Sequence, residues 1–155
     1  MAIAKIIYCS MTGNTEEIAD IIDENLENLD VDVNIQEGFD AEPEDFEDAD
    51  ICIVATYTYD DGVVPDDIID FYEDLADVDL TGKIFGVAGS GDTFYEFFCK
   101  AVDDFEAQFE KTGAIKGADS VKVELAPEAE DIEHLDKFCK DLVNKYNELH
   151  HDELV

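Results

Sequence analysis

Ser10-Met11-Thr12-Gly13-Asn14-Thr15 gathers three hydroxyls, an amide and a glycine at the point where an apolar run gives way to a helical period. Backbone N–H groups at a helix start lack partners and carry the positive end of the helix dipole, so such a string can cradle a phosphate without a cation. A single Ser or Thr would cap an ordinary strand-to-helix turn, and the surplus of hydroxyls is what points to a ligand. No Gly-Lys-Ser/Thr follows, which excludes a P-loop, and no G-x-G-x-x-G follows this first apolar run. Two further strings share this character. Thr56-Tyr57-Thr58-Tyr59-Asp60-Asp61-Gly62 sets two aromatics where easy solvation would favour small polar residues. In Gly89-Ser90-Gly91-Asp92-Thr93-Phe94-Tyr95 two glycines let the backbone approach a ligand closely, and aromatics stand just beyond. A phosphate cradle and two aromatic-bearing loops describe a flat phosphorylated ligand.

These strings need a scaffold that brings them to one edge, and the hydrophobic periodicity supplies it. Residues 3–9 form a mostly apolar strand, and residues 15–29 place Ile18, Ile21, Ile22, Leu26 and Leu29 on one helical face. Residues 31–35 alternate like an edge strand, and residues 51–56 are a continuous apolar run suited to a sheet covered on both faces. Ile68, Phe71, Tyr72 and Leu75 mark a second helix, residues 83–89 a fourth strand, and Phe98, Ala101, Val102, Phe105 and Phe109 a third helix. Residues 120–125 read as the fifth strand. Pro127 and Glu128 open a last helix with the stripe Ile132, Leu135, Phe138, Leu142, Val143 and Tyr146. Five β-α units predict a parallel sheet with right-handed crossovers and a ligand crevice at the carboxyl ends of the strands, where strand order reverses.

Charge narrows the partners. The 155 residues carry 42 acids against nine basic residues, all Lys, for a formal charge of -33, which repels nucleic acid and anionic lipid. Without Arg, an anion must be held by backbone N–H groups, hydroxyls or a lone Lys. From residue 6 to residue 82 there are 25 acids and no base, a one-sided field suited to steering a basic protein partner as well as to solubility. Residues 37–50, with eight acids, read as a solvated loop. Cys9, Cys52, Cys99 and Cys139 have neither C-x-x-C spacing nor a ligand-spaced His, so no zinc site or disulfide framework is expected and no metal is called for. No run approaches the roughly 18 apolar residues of a membrane helix. The near-terminal His151-Asp152-Glu153-Leu154 is followed by Val155 and is not a free retention signal.

With the strings at 10–15, 56–62 and 89–95 in a five-unit chain, the sequence resembles a short-chain flavodoxin over nearly its whole length. The resemblance implies an α/β, flavodoxin-like, doubly wound five-stranded parallel sheet of order 2-1-3-4-5 with helices on both faces, in a single domain over residues 1–155. It implies non-covalent FMN, with its phosphate in the loop of Ser10, Met11, Thr12, Gly13, Asn14 and Thr15. Thr58, Tyr59, Asp60 and Asp61 would serve one side of the isoalloxazine and Ser90, Gly91, Asp92 and Tyr95 the other, with Thr56, Tyr57, Gly62 and Phe94 also counted among the cofactor-binding residues. Tyr95 would stack on the outer face, and Tyr59 stands where the family often has Trp. Asp60 stands where many members have Gly, at the peptide that turns its carbonyl toward flavin N5 on one-electron reduction, and Asp takes positive φ less readily.

The function implied is that of a low-potential one-electron carrier, not an enzyme: a cytoplasmic monomer serving redox proteins with basic docking surfaces, such as a flavodoxin reductase or ferredoxin-dependent enzymes. An FMN-dependent quinone or nitro reductase on the same fold is the alternative, but it needs added chain for a substrate pocket. A response-regulator receiver needs paired acids after the first strand and an Asp ending the third, where this chain has Cys9-Ser10 and Ala55-Thr56.

Overall fold

An apolar strand that must be covered on both faces and an amphipathic helix that must hide one stripe satisfy each other when helices sandwich a sheet. The computed structural model describes residues 2–10, 13–58, 64–92 and 99–150, and it has this arrangement. In chain order come β1 (Ile3–Tyr8), α1 (Asn14–Asn28), β2 (Asp32–Glu37), β3 (Ile51–Tyr57), α2 (Ile69–Leu75), β4 (Ile84–Gly91), α3 (Lys100–Lys111), β5 (Ile115–Lys116), β6 (Val121–Glu124) and α4 (Ala129–Leu149). All pairings are parallel, in the order β2-β1-β3-β4, with β5 and β6 lying one after the other along the free edge of β4. The fifth strand expected at residues 120–125 is β6, the short β5 was not expected, and the spatial order 2-1-3-4-5 holds with β5 and β6 together in the last place.

Alternate side chains feed two cores, as the two-residue repeat of a strand requires. Ala4, Ile6, Ile51, Ile53, Ala55, Ile84 and Ala88 face α1 and α4, whereas Ile7, Cys52, Val54, Phe85 and Val87 face α2 and α3. Helix α1 buries Ile18, Ala19, Ile22 and Leu26, with Ile21 and Leu29 half-buried beside them. It ends in a Schellman turn: Asp30 takes φ 65°, its N–H donates to the Glu27 carbonyl, and the Val31 N–H donates to that of Leu26. In α4 the buried stripe is Leu135, Phe138, Cys139 and Leu142, while Ile132, expected in that stripe, is 46% exposed. Pro127 precedes this helix rather than opening it; Glu128 is its N-cap, in a reciprocal capping box with Asp131.

Residues 37–50 also differ from the expected loop. Gly38–Asp40 and Pro43–Asp48 form 3-10 turns, the second tucking Phe46 wholly into the core against Phe71 and Phe109, at centroid distances of 5.8 and 5.6 Å. Lys83 fixes the end of this segment by donating from Nζ to the Glu47 and Ala49 carbonyls at 2.8 and 2.7 Å. All four cysteines are buried and outside any disulfide, and burial lifts the thiols of Cys52, Cys99 and Cys139 to about 12, far from a reactive thiolate.

The lysines divide the surface. Lys100, Lys116, Lys122, Lys137, Lys140 and Lys145 make the ion pairs found among the described residues, all with acids between residues 103 and 148. On α1, burial first and then a hydrogen bond with Glu27 raise the Asp23 carboxyl to about 6, and its Oδ1 is buried without a partner. Because the folded value lies above the unfolded one, Asp23 favours the folded state most below about pH 4, and this is lost as pH rises through 6. Asp23→Asn should therefore raise the melting temperature at pH 7 and flatten its fall between about pH 4 and 6, as thermal denaturation across that range will show.

Candidate functional site

Parallel strands put the carboxyl ends of β1, β3 and β4 along one edge, and the chain turns opposite ways from β1 and β3 to reach β2 and β4. A crevice opens at such a reversal. Helix α1 starts there. Its N-cap is Gly13 at φ 94°, a left-handed conformation that a side chain would oppose, and nothing lies within 4 Å of where a Cβ would stand. As a glycine, the N-cap residue has no side chain to cap this helix end. Ser10 Oγ accepts the Gly13 N–H at 3.0 Å, leaving the Ser10 proton for another acceptor.

Strand β4 runs further than its apolar letters suggest. Ser90 and Gly91 belong to the strand rather than to the loop after it, because pairing with β6 carries the ladder on: Ser90 lies opposite Val123 and Gly91 opposite Glu124. Ser90 thereby meets α1 from across the sheet, its Oγ 2.7 Å from Thr15 Oγ1, with both residues buried. Gly91 accepts the Leu125 N–H through its carbonyl at 2.8 Å, and Asp92 follows at the rim, half-buried.

At the end of β3 three expected ligand residues have other neighbours. Thr56 is fully buried and its hydroxyl donates to the Tyr57 carbonyl at 3.1 Å, so it faces the interior. Tyr57 is also in the strand and packs in the core beside Cys9, Val64 and Ile68; it is not the exposed loop aromatic expected from its polar surroundings. Thr58 Oγ1 accepts the Ala101 N–H at 3.0 Å and so satisfies one amide in the first turn of α3. Asn14 opens α1 and Thr15 follows it. Met11, Thr12, Tyr59, Asp60, Asp61, Gly62, Phe94 and Tyr95 lie outside the described residues, as does Phe98 of the expected third-helix stripe.

Sequence reasoning missed the flank of this crevice. Tyr8, Ser10, Glu16, Glu37 and Phe39 line a hollow beside the α1 start, and Phe39 is 69% exposed. Burial, then the 3.1 Å hydrogen bond to Glu37, pushes the Tyr8 hydroxyl up to about 12, so it stays a neutral donor. The alternation of residues 31–35 marks an edge strand but carries no signal for the turn at Gly38–Asp40 that brings Phe39 to this flank. A roomier hollow of about 270 Å³, among Ser120, Lys122, His134 and Lys137, lies off the sheet edge; its lysines are engaged by Asp103 and Asp141.

An acceptor-rich anion suits the α1 end: a glycine N-cap, an open face at Gly13, a Ser10 proton and a buried hydroxyl pair supply donors and space. Residues 6–138 match the family model described as Flavodoxin. The chain belongs to the flavodoxin family. Probable flavodoxin 2 of Bacillus subtilis is 41% identical over 146 residues, 94% of this chain and 97% of its own. The solved flavodoxin of Streptococcus pneumoniae TIGR4 is 59% identical with a TM-score of 0.91, over 93% of this chain and 99% of that one. A short-chain flavodoxin associated with a PDU bacterial microcompartment is 49% identical with a TM-score of 0.92, over 94% and 99%. Flavodoxins bind FMN and transfer electrons; they are not enzymes, which sets aside the reductase alternative. Among the described residues no helix is long and apolar enough to cross a membrane.

Proposed function

We propose that this protein is a low-potential one-electron carrier whose FMN is held non-covalently at the crevice between the carboxyl ends of β1, β3 and β4. The start of α1 at a left-handed glycine N-cap, Gly13, is the observation that carries this reading. In it Ser10, Thr12, Asn14 and Thr15, with the first-turn amides, bind the phosphate; Thr58, Tyr59, Asp60 and Asp61 flank the flavin on one side; Gly91, Asp92 and Tyr95 flank it on the other. Bound there, FMN supplies reversible single-electron chemistry. The chain supplies orientation, exclusion of water and an acidic surround. We read the chain as one domain and, since copies charged at -33 repel one another, as a cytoplasmic monomer serving redox proteins with basic docking surfaces.

Calorimetry on the apoprotein tests the reading. FMN should bind at least about a hundredfold more tightly than riboflavin, since two or more charge-assisted bonds at about 1.5–3 kcal/mol each depend on the phosphate. Equal affinities would end the assignment of the α1 start. The acidic surround makes a second prediction. A carboxylate about 10 Å away opposes an added electron by about 0.4 kcal/mol in water and about 1.7 kcal/mol at an effective dielectric near 20. With about 59 mV per tenfold change, several such groups lower the potential of the more reduced couple by on the order of 100 mV. Salt screens them, so potentiometric titration should find that potential rising by tens of mV between dilute buffer and molar salt; a flat response would remove the electrostatic account.

A further inference from the structure

Thr15 and Ser90 are 75 positions apart in sequence, yet their hydroxyls meet at 2.7 Å in a buried position where α1 begins and β4 ends. Each hydroxyl has one proton to give and can also accept. The 2.7 Å separation fixes a bond between them but leaves its direction to what surrounds it. On the proposed reading the nearest strong acceptor at the α1 start is an ionised phosphate, whose oxygens accept and do not donate. If Thr15 gave its proton to Ser90, it would present only lone pairs to that anion and repel it. If Ser90 donates to Thr15, the Thr15 proton is left to point at the phosphate, and the second dipole polarises the first. In a chain with no Arg and a charge of -33, such a pair is one of few ways to strengthen a donor.

We propose that Ser90 is a positioning residue for phosphate recognition: it donates to Thr15 Oγ1 and thereby holds the Thr15 hydroxyl as a donor to the FMN phosphate. Its buried hydroxyl is engaged with Thr15, and this contact, rather than the flavin-facing role the sequence suggested, is the basis of the proposal. The inference rests on the α1 start being the phosphate site.

The experiment is a calorimetric titration of the full-length apoprotein with FMN and with riboflavin, in the wild type and in Ser90→Ala, Thr15→Val and the double variant. Ser90→Ala should weaken FMN about tenfold and leave riboflavin unchanged, the loss expected for one hydrogen bond to a charged group. In the Thr15→Val background the same substitution should change the FMN-to-riboflavin preference less than about twofold, because the residue acts through Thr15. The ³¹P resonance of bound FMN should shift in Ser90→Ala. An unchanged preference in Ser90→Ala, an equal weakening of both ligands, or two substitutions whose effects simply multiply would each overturn the proposal. A wild type that holds riboflavin as tightly as FMN would overturn the phosphate reading itself, and the proposal with it. Should Ser90→Ala not yield a folded apoprotein, Ser90→Cys, close in size but a weaker donor, reads the same preference, with a smaller loss expected and no loss overturning the proposal.

Discussion

Phe109→Ala should lower the free energy of unfolding by about 4 kcal/mol, at the centre of the range for emptying a large aromatic site in a core. The ring is fully buried, stacked on Phe85 at 4.8 Å with planes 11° apart, and tilted against Phe46 at 5.6 Å. Its loss opens a void among residues from β4, α3 and the Pro43–Asp48 turn at once, and these elements cannot all move inward together. For a chain of this size the melting temperature should fall by about 10 °C. Phe39→Ala is the matched control: the same change at a ring 69% exposed should stay within about 0.5 kcal/mol. Chemical denaturation of the two variants checks both figures. Similar losses would mean that the hydrophobic cluster around Phe109 is not the part of the core the packing makes it.

The second large effect is expected at Gly89. A Cβ there would stand 2.3 Å from the Thr56 carbonyl oxygen and 2.5 Å from Val102 Cγ2, so strand β3 and helix α3 must both yield. Gly89→Ala should destabilise by about 3 kcal/mol, the upper part of the range for overpacking, since the nearer obstacle is backbone. Adding Val102→Ala removes only the side-chain clash, so thermal unfolding of the double variant should recover less than half of the loss. The disturbance also reaches the site. Moving the start of α3 strains the bond from Ala101 N–H to Thr58 Oγ1, and moving β4 shifts Ser90 against Thr15.

Hydrophobic period made most of this scaffold legible. The runs at β1, β3 and β4 and the stripes of α1, α3 and α4 come directly from which letters are apolar and how they repeat, and the strand order comes from the resemblance those elements carry. Phe46 was not legible, because one aromatic in a run of acids has no period; only the core shows why it is there. Ile115–Lys116 is too short to signal a strand, and it exists because the open edge of β4 pairs with it. The string proposed for the phosphate stood out as a cluster of residue types, and its place at a helix start was readable. The contact between Thr15 and Ser90 was not, since nothing local connects positions joined only when β4 crosses behind α1. Tyr57 misled for a related reason: a residue among polar neighbours at the end of a strand looks like loop until the neighbouring strand is seen to pair with it.

The pairing of the first and last helices bears on when the molecule can work. The inner face of α1, with Ile22 and Leu26, packs in one cluster with Leu135, Cys139 and Leu142 of α4, and the Cys139 thiol lies 3.7 Å from the Ile22 carbonyl. During synthesis, the helix proposed to present the cofactor cradle, Asn14–Asn28, therefore leaves the ribosome well before Ala129–Leu149, the helix that covers its back. On the proposed reading, a nascent chain that has not yet released α4 lacks the packing behind α1, so the cradle gains its full support only once α4 has emerged.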